Sequence, residues 1–109
     1  MIPLDKVRKI IDIYETLEKE LASSDIEKRD FVKKSKEYST IGEVIHEARG
    51  YVSFQKEKRE LEKIIDEKGS DKEMVQLAKN ELIQLSKKKE EYEKKLKIYL
   101  LPKDEADAK

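Results

Sequence analysis

The sequence predicts an all-α fold: an elongated three-helix domain with a long antiparallel helical hairpin of coiled-coil-like spacing. Three observations support it. Only three Gly and two Pro interrupt 109 residues. Apolar side chains recur at three- and four-residue steps along most of the chain, the signature of a helical face. Two short junctions, Ser23-Ser24-Asp25 and Gly69-Ser70, divide that pattern into three runs.

The first helix is expected over about 3–22. Pro3 suits a first helical position, where its missing N–H is not needed. Leu4, Val7, Ile10, Ile11, Tyr14, Leu17 and Leu21 then form one apolar face. Ser24, with Glu27 three residues on, reads as a capping box for the next helix. That second helix is expected over about 25–68, roughly 65 Å at 1.5 Å per residue. Its apolar residues fall in two stripes: Phe31, Tyr38, Ile41, Ile45, Ala48 and Val52, then Val44, Tyr51, Phe54, Leu61, Ile64 and Ile65. Two stripes imply two partners, the first helix along the N-terminal half and the third along most of the length. Gly42 and Gly50 lie inside this run, each costing up to about 1 kcal/mol relative to Ala. Close helix approach or a mild bend accounts for them better than a functional hinge.

Gly69 stands where a left-handed residue ends a helix, and Ser70 with Glu73 forms a second capping box. So tight a connection returns the third helix, about 71–101, antiparallel beside the second. Here Val75, Ala78, Leu82, Leu85, Lys89, Tyr92, Leu96 and Tyr99 alternate steps of three and four without a slip. Lys89 is the polar member of that seam. The pairs Glu90–Lys94, Glu91–Lys95 and Glu93–Lys97 are expected on the exposed side, each worth a few tenths of a kcal/mol.

Charged residues make up 46% of the chain and apolar ones 37%, lean for a compact globule. Leu, Ile, Val and Phe still reach about a quarter, above the level that signals disorder. Lys and Arg number 25, as do Asp and Glu, so the net charge is zero. Self-repulsion therefore does not open the chain. Neutrality also argues against strong independent nucleic-acid binding, which normally shows as a basic excess. No run of eighteen apolar residues suits a membrane span, and the N-terminus lacks an apolar signal core. With no Cys there is no disulfide framework, and a cytoplasmic location is expected.

Little in the sequence points to chemistry. Catalysis requires a concave, partly dry site, which a rod of helices does not obviously offer. His46, the single histidine, lies off the main stripes and reads as a solvated surface residue. No second His, Cys or loop of spaced carboxylates suggests a metal, and no glycine-rich loop suggests a phosphate cofactor. No catalytic, metal or cofactor site is therefore expected. Lys87-Lys88-Lys89 with Lys94-Lys95 is interleaved with Glu90, Glu91 and Glu93 and reads as an exposed helix side rather than an RNA contact. Tyr14, Tyr38, Tyr92 and Tyr99 sit on apolar stripes, so core packing with hydroxyls at the rim outweighs base stacking.

Three stretches carry a family resemblance. Ser35-Lys36-Glu37-Tyr38-Ser39 lies in the second run, Glu73-Met74-Val75-Gln76-Leu77-Ala78-Lys79-Asn80-Glu81-Leu82 opens the third, and Tyr99-Leu100-Leu101-Pro102-Lys103-Asp104 closes it with a buried-looking Leu-Leu pair. In order and spacing they resemble the N-terminal helical domain of bacterial class-I peptide chain release factors, of the type that reads UAA and UAG. After Lys103-Asp104 the family usually continues with Pro, whereas Glu105 follows here.

An intact family member hydrolyses peptidyl-tRNA with a Gly-Gly-Gln loop and reads the stop codon with a Pro-x-Thr tripeptide. This chain has neither, so the resemblance implies a non-catalytic fragment without codon selectivity. It also implies an accessory arm that binds the stalk-base protein of the ribosome. Further implied partners are the glutamine methyltransferase of release factors and the other domains of the same full-length factor. The expected contact is the hairpin tip, Glu67, Lys68, Gly69, Ser70, Asp71 and Lys72, because a rod engages partners most readily with its end. The domain is expected over 1–104, with 105–109 a flexible tail at an artificial cut in a longer chain. Two other functions fit the pattern: a freestanding structural coiled coil or chaperone-like hairpin, which would dimerise, and a tRNA-binding helical hairpin, which would bind RNA in a salt-sensitive way.

Overall fold

The computed structural model describes residues 2–69 and 71–101, and among these there are helices and turns but no strand. The helices are α1 (Leu4–Ala22), α2 (Lys28–Gly42), α3 (Ile45–Asp66) and α4 (Lys72–Leu100). The all-α class predicted from the sequence holds. None of the four is long and apolar enough to cross a membrane.

Pro3 sits one position before α1, and its carbonyl accepts from the Lys6 and Val7 N–H groups at 3.1 and 3.4 Å. The single helix expected over 25–68 is corrected in two places. It begins later, because Glu27 is itself the extended residue preceding α2, at φ −70° and ψ 148°, and cannot serve as the third helical residue of a capping box. The Ser23 hydroxyl, not that of Ser24, closes the corner, accepting from the Asp25 N–H at 3.3 Å. The run also breaks between Gly42 and Ile45. There the Glu43 and Val44 N–H groups turn to Thr40 and Ile41 carbonyls three residues back, at 3.3 and 2.9 Å. This is the tighter 3₁₀ pattern, with Val44 at φ −123° and ψ 5°. Gly42, a weak helix former, makes the interruption inexpensive. Ile41, Val44 and Ala48, on either side of the break, share one core, at 4%, 4% and 0% exposure.

In the packing, α1 lies against both α2 and α3, while α3 pairs with α4. Two partners for the central run were expected, but the last helix covers α3 rather than most of 25–68. Cross-helix contacts run Glu47 with Lys95, Gly50 with Tyr92 and Phe54 with Lys89, so numbers rise along α3 as they fall along α4. The two helices are antiparallel. The molecule measures 61 × 42 × 19 Å.

The main core gathers at one end of this hairpin, where Ile2, Val7, Ile10, Leu17, Ile41, Val44, Ala48, Tyr51 and Leu96 meet. Tyr51 ties the N-terminus into it: its hydroxyl accepts from the Ile2 N–H at 3.1 Å and donates to the Ile2 carbonyl at 2.9 Å. Nearby, the Tyr14 and Tyr38 rings stack with centroids 4.4 Å apart, a contact worth about 0.5–1.5 kcal/mol beyond burial. Hydrogen bonding with Tyr14, then desolvation and the Glu18 carboxylate, hold the Tyr38 hydroxyl above its ordinary pKa. Burial, followed by the carboxylates of Glu37 and Glu43, does the same to Tyr99. The tyrosines are packing residues.

The α4 seam agrees with its spacing: Val75, Ala78, Leu82, Leu85, Lys89, Tyr92, Leu96 and Tyr99 are all buried or half-buried. Lys89 fits by laying its ammonium 5.0 Å from the Phe54 ring centroid and 3.4 Å from Glu93. Gly50 supplies the close approach expected of it, since a Cβ there would fall 2.7 Å from Cζ of Tyr92. Two other expectations fail. Phe31, placed on a stripe, is 45% exposed because it precedes the region where α2 meets the core, and Leu100 and Leu101 are exposed, past the last packed turn. Pro102-Lys103-Asp104 and the tail 105–109 lie outside the described residues. Lys95, expected to pair along its own helix with Glu91, reaches across to Glu47 at 3.5 Å instead.

Candidate protein-docking site

The hairpin tip is assembled from the end of α3 and the start of α4. Glu67 leaves the helix in an extended conformation, φ −71° and ψ 128°, while its N–H still donates to the Lys63 carbonyl at 3.0 Å. The expected left-handed residue is present, Gly69 at φ 87°, although α3 has already ended at Asp66. A side chain at Gly69 would meet nothing within 4 Å but would be strained by that φ. Ser70 lies outside the described residues, so the box it was expected to form with Glu73 is not described either. The observed cap of α4 is Asp71, whose carboxylate accepts from the Glu73 N–H at 3.3 Å. Glu67, Lys68, Gly69, Asp71 and Lys72 are all exposed. The tip thus presents two acids and two bases on a turn fixed by one cap and one left-handed glycine.

A second feature was not singled out in the sequence. One side of the α3–α4 hairpin carries a groove of about 880 Å³, with Leu61, Ile64, Leu77, Leu85 and Tyr92 among its apolar lining. The pattern placed Leu61, Ile64, Leu85 and Tyr92 on stripes but not the space between them. The available signal was Gly50, which lets the Tyr92 ring lie low. His46 is exposed, as its position off the stripes predicts, and meets the Tyr92 ring edge-on at 5.7 Å between centroids. Arg49 stands over the Tyr14 ring, 5.6 Å from its centroid, and 3.8 Å from the Glu15 carboxylate.

Electrostatically this is an ordinary solvated surface. Among the described residues, no cluster of acids and histidine is placed to hold a metal ion, and no buried polar side chain lacks a partner. Lys89 and Lys95 of the basic run are engaged with Glu93 and Glu47, while Lys87, Lys88 and Lys94 are exposed.

Comparison with known proteins identifies the family. A family model described as the PCRF domain matches residues 10–109. The chain belongs to the PCRF domain family. Peptide chain release factor 1 of Pelagibacter ubique (strain HTCC1062) is 50% identical over 109 residues, covering 100% of this chain and 30% of that protein. The factors of the same name from Bartonella tribocorum (strain CIP 105476 / IBS 506) and Rickettsia canadensis (strain McKiel) are 38% and 39% identical over 99% and 96% of the chain. They are likewise matched over only 30% and 29% of their own lengths. This PCRF domain therefore spans under a third of the curated relatives it matches. No solved structure matches the chain.

Proposed function

We propose that this chain is the N-terminal accessory domain, over about 1–104, of a cytoplasmic translation termination factor of the UAA/UAG-reading type. It acts as a non-catalytic arm that binds the ribosome through the stalk-base protein, joined in the full-length factor to the codon-reading and hydrolytic domains. The same arm takes part in docking the glutamine methyltransferase. The observation that carries this reading is similarity to release factor 1 sequences along the whole chain. An exposed tip on a narrow hairpin is a shape suited to reaching a partner.

Contact is assigned to Glu67, Lys68, Gly69, Ser70, Asp71 and Lys72. The test is binding of the purified 109-residue chain to the purified stalk-base protein, by calorimetry or surface plasmon resonance. The double variant Glu67→Ala/Lys68→Ala removes two exposed charges without touching the Asp71 cap. Weaker binding by this variant supports the tip assignment. Unchanged binding moves the contact elsewhere, and no binding of the parent chain refutes the arm.

A further inference from the structure

We propose that the groove along the α3–α4 hairpin is a docking site for an amphipathic helix of a partner protein, basic toward the hairpin tip and acidic toward its base. The surface is distinct from the tip turn, and the inference goes beyond the contact assigned there.

Length comes first. A smaller recess lined by Glu47, Glu91 and Lys95 shares His46, Lys88 and Tyr92 with the main groove, so the two form one channel. From Leu77 to Lys95 it follows 19 residues of α4, about 27 Å from first to last at 1.5 Å per step. That accommodates a helix of about five turns. No residue of α1 or α2 lines the channel.

Its floor is apolar and open. Leu61, Ile64, Leu85 and Tyr92 are half-buried, and Leu77 on the rim is 61% exposed. Helix-in-groove recognition uses such a floor, reading apolar anchors at three- and four-residue steps. Gly50 maintains the depth, because a Cβ at that position would collide with the Tyr92 ring.

Charge selects the occupant. Toward the tip the lining contributes Glu57, Glu60 and Glu81 and no basic residue, whereas toward the base Arg49, Lys88 and Lys95 outnumber Glu47 and Glu91. Complementary charge fixes register and discriminates partners.

The experiment titrates the isotopically labelled 109-residue chain with a synthetic amphipathic 18-residue peptide carrying Lys in one half and Glu in the other. A twin peptide of the same composition has Lys and Glu interspersed along its whole length. The expected result is saturable one-to-one binding of one peptide, with amide shifts centred on Leu61, Ile64, Leu77, Leu85 and Tyr92. The twin binds at least tenfold more weakly at low salt. Leu77→Gln, at an exposed position that leaves helicity by circular dichroism unchanged, weakens the preferred peptide at least fivefold. Glu67→Ala/Lys68→Ala leaves its affinity unchanged, which separates the groove from the tip. The proposal is overturned by absence of saturable shifts at millimolar peptide, by equal affinity for the two peptides, or by shifts confined to α1 and α2. Sedimentation equilibrium showing a dimer sealed through Leu77 would also overturn it, assigning the groove to a second copy.

Discussion

Gly50→Ala should destabilise the native chain, whereas the same change beside a truncated Tyr92 should stabilise it. In an open helix position, Ala is better than Gly by about 1 kcal/mol. Position 50 is not open, since an added Cβ would lie 2.7 Å from Cζ and 3.0 Å from Cδ2 of Tyr92. Displacing an aromatic ring from a packed site costs typically about 1–3 kcal/mol, and His46 also meets that ring, edge-on. The two effects leave Gly50→Ala about 1 kcal/mol less stable in the parent. With Tyr92→Ala the collision vanishes and only the helix preference remains, a gain of up to about 1 kcal/mol. The coupling across the cycle is thus about 1–3 kcal/mol, large enough to measure for residues in contact. Urea unfolding followed at 222 nm, on all four proteins, reads it directly. A stabilising Gly50→Ala in the parent, or the same effect in both backgrounds, would refute the close-approach explanation.

Other perturbations have equally definite outcomes. Tyr51→Phe removes both hydrogen bonds to Ile2 and should lower stability by about 1–3 kcal/mol in the same unfolding assay. Asp71→Ala should cost about 1 kcal/mol through loss of the α4 cap, with Asp71→Ser nearly neutral. Lys89→Met keeps the volume against Phe54 and removes a polar member of the seam; stability should change by less than about 1 kcal/mol, in the stabilising direction. Because Tyr38 and Tyr99 hold their protons more tightly when folded, their contribution is complete below the ordinary tyrosine pKa of about 10 and is lost as pH rises past it. Alkaline denaturation curves should therefore flatten in Tyr38→Phe and Tyr99→Phe, and curves parallel to the parent would contradict that assignment.

The parts of the fold readable in the sequence were those governed by local period. Every member of the Val75-to-Tyr99 seam is withdrawn from solvent because a single unbroken helix keeps the period against α3 and, at its end, against the main core. The interruption after Gly42 was hidden for a related reason. Ile41, Val44 and Ala48 keep helical spacing across it, so the pattern continues where the hydrogen bonding does not. Phe31 and the Leu100-Leu101 pair misled because side-chain type does not reveal whether a neighbour is present. Capping was ambiguous where several Ser and Asp residues adjoin, and Asp71 rather than a serine was observed to cap α4. Of the candidate surfaces, the tip was legible as a turn through Gly69. The groove was not, since it depends on which α3 residue faces Tyr92, a matter of register between distant segments.

The uneven distribution of buried residues along α3 and α4 sets how the molecule yields. At the root, the two helices are clamped through Ala48, Tyr51 and Leu96, but farther out their mutual apolar contacts are mostly half-buried. Amide exchange should accordingly show a gradient of opening energies, lowest near Asp66 and Lys72 and approaching the global value around Ala48. A load applied to the free end would spread the distal turns before it disturbed the root, making the domain a cantilever with a compliant end and a stiff mount.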